Sequence, residues 1–192
     1  MSYGTSTWEQ FGVTFHVEAA NQAPSAIFYR LLSENPITTP LLNTPQLAYG
    51  LSIGTALLVL AATLWASYRS SGICSVFVLW IYPMLLIPSL CWDHYFTQLL
   101  LPIWWLIWTW KGGSDRRAWL FAVAVALICA PYNFESEWWK SGIGILGASV
   151  KGFAAVVLYL ITIQHTVSKS TGALRTATVG SSSENEPVGN PS

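Results

Sequence analysis

The sequence predicts an all-α, polytopic integral membrane protein with about five transmembrane helices, and three observations carry that prediction. Only 9% of its 192 residues are charged while 53% are apolar, with 11 tryptophans, against about 25% charged residues in soluble domains. An apolar run extends from Ile73 to Trp110, broken only at Trp92-Asp93-His94-Tyr95. As one helix it would reach about 57 Å at about 1.5 Å per residue, nearly twice the ~30 Å core of a bilayer, so it must fold back. Finally, Lys and Arg concentrate in alternate loops, the pattern of a multispanning chain.

Residues 1–46 contain one basic residue, Arg30, and neither a basic leader nor an apolar signal core. They are expected to form an extracytoplasmic segment with a short interfacial helix. An upstream membrane portion would explain how this segment is translocated, so the chain is expected to be a fragment of a longer protein. The first span, 47–68, carries no charge. The second, 73–91, holds Pro83 and Pro88, and the third, 96–110, holds Pro102; each proline removes a backbone donor and bends its helix. The fourth span, 118–132, is short, and the fifth, 145–164, contains Lys151, expected to snorkel toward the outer surface. Residues 47–165 thus form the transmembrane domain. Residues 166–192, rich in Ser, Thr, Gly and Pro, are expected to be a disordered cytoplasmic tail.

Arg69, Lys111, Arg116, Arg117, Lys169 and Arg175 fall on one side by alternation, and that side is cytoplasmic. The opposite side receives residues 1–46, the Trp92–Tyr95 turn and the loop from Tyr132 to Trp139. The formal net charge is zero and there is no basic run, which excludes a nucleic-acid footprint. Cys74, Cys91 and Cys129 stand singly in apolar surroundings without metal-ligand spacing, so they are expected to be buried small hydrophobes, and no metal or cofactor site is predicted. His16 and His165 are isolated and receive no role.

Chemistry is expected where the apolar run is interrupted. An aspartate held at mid-bilayer costs about 2.5–3.5 kcal/mol, so Asp93 and His94 belong at a membrane surface. In a turn both side chains can face one pocket. The plainer reading is a solvated hairpin tip flanked by Trp92 and Tyr95 as interfacial anchors.

The stretch from Ile87 to Tyr95 (Ile-Pro-Ser-Leu-Cys-Trp-Asp-His-Tyr), followed by Leu99-Leu100-Leu101-Pro102, resembles a signature of glycosyltransferase family 87. Asn21-Gln22-Ala23-Pro24 through Arg30-Leu31-Leu32 is similar to an upstream segment of the same family. The resemblance covers roughly residues 20–165. Ala23, Ala26 and Cys91 depart from the residues usual there, which bears on details of the pocket. Membership implies a GT-C-like enzyme of a bacterial cytoplasmic (plasma) membrane, multi-pass, with its active face extracytoplasmic. It would move a hexose, mannose first among the choices, from a polyprenyl-phosphate donor to a glycolipid or glycan acceptor.

Such transfer needs a base for the acceptor hydroxyl and donors for the departing phosphate. Asp93 and His94 are the candidate catalytic pair. Arg30, Asn21, Gln22 and Tyr95 are the candidates for holding donor phosphate and sugar. The family's catalytic acid lies in an outer loop upstream of these segments, so this chain is expected to be inactive alone. Arg30 as an interfacial helix end and Asn21 as a helix cap are the duller alternatives. The competing function is a small non-enzymatic membrane protein, an assembly partner or accessory subunit; a transporter would need mid-membrane polar groups, and only Lys151 qualifies.

Overall fold

A computed structural model describes residues 17–18, 20–70, 72–110, 116–132 and 137–183, with side chains for all of these except Asp93, Arg116 and 169–183. Expectations about residues 1–16, Lys111, Glu135 and the end of the tail lie outside the described residues, as does the side chain of Asp93. The described chain is all-helical. Its elements are α1 (Pro24–Leu32), α2 (Pro45–Arg69), α3 (Ile73–Leu86), a 3-10 turn (Asp93–Leu99), α4 (Leu100–Thr109), α5 (Arg116–Cys129), a second 3-10 turn (Glu137–Lys140), the single turn α6 (Gly144–Gly147) and α7 (Val150–Ser183).

Local chemistry explains most of the boundaries. Pro24 and Pro45 open α1 and α2 at a position where a missing N–H costs nothing. Arg69 closes α2, where a cation meets the carbonyl end of the helix. α3 stops at Leu86 rather than at residue 91, because Pro88 has no N–H to continue the ladder. The polar turn is correspondingly longer than the sequence suggests, and α4 begins only at Leu100. The last expected span is divided at Ala148-Ser149 into α6 and α7, and α7 continues through the expected tail to Ser183.

Two helical stretches, Pro45–Arg69 and Val150–Ser168, are long and apolar enough to cross a membrane; Ile73–Leu86 and Arg117–Cys129 are apolar but shorter. The two long ones differ in surroundings. α7 packs against α2, α3, α4 and α5, whereas α2 turns large apolar side chains outward, with Leu57 62% and Leu58 69% exposed. Of the three cysteines expected to be buried only Cys91 is; Cys74 and Cys129 lie on outward faces of α3 and α5. Lys151 does not reach the surface either: it is 8% exposed, with its ammonium 5.4 Å from the centre of the Tyr132 ring, a cation–π arrangement.

A short polar ladder ties the central helices. The Tyr159 hydroxyl donates to the Val59 carbonyl (2.9 Å) and meets the Thr63 hydroxyl (2.6 Å). One turn along α7, Thr162 meets the Tyr82 hydroxyl of α3 (2.8 Å). The Tyr82 and Tyr159 rings lie 5.1 Å apart between these bonds. Hydrogen bonds between helices in apolar surroundings are worth about 0.6–2 kcal/mol each. Replacing Tyr159→Phe should therefore lower stability by about 1 kcal/mol. Thr63→Val added to it should lower stability by less than the sum of the single changes, as read by thermal unfolding in detergent, because the two remove one shared bond.

Candidate functional site

At one end of the bundle three distant segments meet, residues 18–30, 89–92 and 145–152. Two adjacent amides in the first segment join the other two. Asn21 and Gln22 are 0% and 1% exposed, on extended backbone just before α1. Asn21 donates from Nδ2 to the Ser89 carbonyl (2.9 Å) and accepts at Oδ1 from the Cys91 and Ala23 amides (2.8 and 3.1 Å). The Gln22 amide N–H donates to the Cys91 carbonyl (2.8 Å), and Asn21 pairs with Trp92 in an isolated antiparallel bridge. The Asn21-Gln22 and Cys91-Trp92 segments thus lie side by side.

The Gln22 side chain faces the other way. Its Nε2 donates to the Ala148 carbonyl (2.7 Å) and its Oε1 accepts from the Gly152 amide (3.1 Å). It therefore spans the break between α6 and α7 and satisfies an amide of the first turn of α7 that has no partner within the helix. Gly152 permits this: a Cβ there would stand 2.6 Å from the Gln22 carbonyl oxygen.

Arg30 is wholly enclosed. One terminal nitrogen donates to the Glu18 and Asn21 carbonyls (2.7 and 2.9 Å) and the other to the Ser149 hydroxyl (2.8 Å), which itself donates to the Ile145 carbonyl (3.0 Å). Its Nε is buried without a partner. No carboxylate pairs with it among the described residues, and burial lowers its pKa from the ordinary value to about 10. It stays charged at neutral pH, held by carbonyl dipoles in bonds worth about 1.5–3 kcal/mol each. Because the folded pKa lies below the unfolded one, the burial penalty is complete below pH about 10 and is relieved only as pH rises through that value.

The candidate catalytic turn is presented above this base. Phe96 and Leu99 are buried and anchor the 3-10 turn, while His94 and Tyr95 are exposed. Their rings contact edge to face at 4.3 Å, and the Thr97 hydroxyl donates to the His94 carbonyl (2.8 Å). Of the sequence-derived candidates, Asn21, Gln22 and Arg30 come together in the buried base, and His94 and Tyr95 stand at the exposed tip. Sequence reasoning missed Ser149 and Gly152. Their signal was the small-residue stretch Gly147-Ala148-Ser149-Val150-Lys151-Gly152, which lets backbones approach closely. No group of three or more metal-ligating side chains forms among the described residues.

Substituting Ala for Gly152 should destabilise the protein by about 1–3 kcal/mol, since α7 must move off the Gln22 backbone. Arg30→Met should lower stability by about 3 kcal/mol, because the Asn21 carbonyl and the Ser149 hydroxyl lose the guanidinium as donor, while the Glu18 carbonyl keeps the Asn21 amide; both changes can be read by thermal unfolding in detergent micelles. No protein-family model, curated protein or solved structure matches this chain.

Proposed function

We propose that this chain is a multispanning, GT-C-like membrane protein with about five spans, resident in a bacterial plasma membrane. In this reading it carries the donor-side part of an outward-facing site that transfers a hexose from a polyprenyl phosphate. The observation that carries the proposal is the direct pairing of Asn21 and Gln22 with Cys91 and Trp92. The two stretches that suggested the activity are far apart in sequence and form one unit next to the His94 turn. The outward apolar faces of α2, α3, α4 and α5 support a lipid environment, since contiguous exposed apolar surface of this extent is rare on soluble monomers.

In the reaction the acceptor hydroxyl oxygen attacks the anomeric carbon and gives its proton to a carboxylate. The bond from that carbon to the phosphate oxygen breaks, and its electron pair leaves with the polyprenyl phosphate. His94, exposed on the tip, donates a hydrogen bond to that phosphate, and Asp93 orients the imidazole or a sugar hydroxyl. Tyr95 meets the His94 ring edge to face and offers its hydroxyl to a sugar. Asn21, Gln22 and Arg30 act as positioning residues, because their polar atoms are committed to carbonyls, amides and Ser149 of the chain itself.

That same commitment favours a second reading, a non-enzymatic accessory protein in which the hub only braces the helices. A photoreactive polyprenyl-phosphate mannose in proteoliposomes separates the two. Transfer chemistry predicts labelling concentrated in residues 92–98, reduced at least about tenfold by His94→Ala without loss of thermal stability. Supplying any upstream portion the site requires should give mannosyl transfer with the same sensitivity to His94. Labelling spread evenly over the helices, or unchanged by His94→Ala, would leave only the accessory reading.

A further inference from the structure

A groove of about 360 Å³ lies beside the hub, between α1, the first turns of α2 and the segment that follows α3. Five hydroxyl-bearing residues from three elements line it: Ser25, Tyr29, Tyr49, Ser52 and Ser89. The remaining wall is aliphatic, formed by Ile53, Ala56 and Ile87, and no charged side chain contributes. Its volume sits near the lower end of the roughly 300–1,000 Å³ usual for small-molecule sites.

The chemistry of the lining restricts the occupant. A phosphate or carboxylate needs cationic or multiple N–H donors when it leaves water, and none lines this groove. Hydroxyls both donate and accept, which suits a polyol. The Ser52 hydroxyl donates to the Ala48 carbonyl (2.7 Å) and keeps lone pairs for a ligand O–H. Tyr29 and Tyr49 add ring faces suited to the C–H surface of a sugar. Along α2 the groove runs onto the outward apolar face at Ile53 and Leu57, 42% and 62% exposed, a path for an acyl chain rather than for water.

We infer that this groove binds the uncharged sugar headgroup of a glycolipid, with the lipid's hydrocarbon lying along the outward face of α2. Asn21 links the site to the hub, because its Nδ2 holds the carbonyl of Ser89 in the groove wall. The inference rests on the membrane placement proposed above and not on glycosyl transfer, so loss of one does not decide the other.

Native mass spectrometry of the full chain in nanodiscs tests it, with monohexosyl diacylglycerol and phosphatidylglycerol offered together and free hexose as competitor. Preferential retention of the glycolipid is expected, with affinity at least about tenfold weaker in Ala56→Trp, which fills the groove. Free hexose should not displace it. Should Ala56→Trp fail to fold by circular dichroism, the double change Tyr49→Phe with Ser52→Ala, which removes hydroxyls and keeps volume, should also weaken retention. Equal retention of both lipids, displacement by free hexose, or retention unaffected by the folded variant would overturn the inference. Glycolipid retention without mannosyl transfer or donor labelling would sink the transferase reading and leave this one standing.

Discussion

The arrangement depends on one requirement, that non-helical backbone enclosed by helices must find hydrogen-bond partners. After α3 ends, the chain must turn without regular structure before α4 begins, and a second irregular join separates α6 from α7. Two consecutive side-chain amides meet both needs. Asn21 serves a carbonyl and an amide of the first join, and Gln22 serves a carbonyl and an amide of the second. Their alternation follows from extended backbone, which sends neighbouring side chains to opposite sides. Arg30 then fixes the backbone of the Asn21 segment by taking its carbonyl, and reaches Ser149 at the start of α7. A lysine has no planar fork with which to bridge those partners in the same geometry.

From that end the order passes into the bundle along α7. Its first turn is held by Gln22, and about two turns on its tyrosine and threonine lock to α2 and α3. Apolar packing alone leaves helices free to slide and rotate among lipid-like neighbours; hydrogen bonds at Thr63, Tyr82, Tyr159 and Thr162 select one register. At the opposite end the Thr109 hydroxyl meets His165 Nε2 (2.9 Å), with the Trp105 ring edge-on to the imidazole. α7 is thereby held at Gly152, at Tyr159 and Thr162, and at His165. It is the element around which the shorter helices are arranged.

How much of this the sequence revealed varied with the kind of signal. α2 was legible almost to its ends, because a long uncharged run between proline and arginine has few alternatives. The shortened α3 was less so: Pro83 is tolerated inside the helix while Pro88 ends it, and nothing local distinguishes the two. Lys151 and the outward cysteines were misjudged because their placement depends on which neighbours lie alongside, information carried by Tyr132 and by the rotation of whole helices. Asn21, Gln22 and Arg30 stand out in the sequence as polar residues before an apolar stretch, but the contacts of Arg30 with Ser149 and of Gln22 with Gly152 span more than a hundred residues. Polar residues in an apolar chain announce that a partner exists. They do not say where it is.

The separation between an enclosed, internally hydrogen-bonded base and an exposed tip is itself informative about chemistry. A phosphate-binding site made from Arg30 would require withdrawing the guanidinium from two carbonyls and a hydroxyl in a place with no solvent, and each bond lost there is costly. A rigid base that instead holds the Cys91-Trp92 backbone can present His94 and Tyr95 in a fixed position while leaving their outer faces free of other duties. Preorganisation of this kind favours an exposed reacting group on a braced turn over a reacting group within the brace. The neutral groove shares the same brace: the amide of Asn21 holds both the Ser89 carbonyl of the groove wall and the Cys91 amide that leads into the tip.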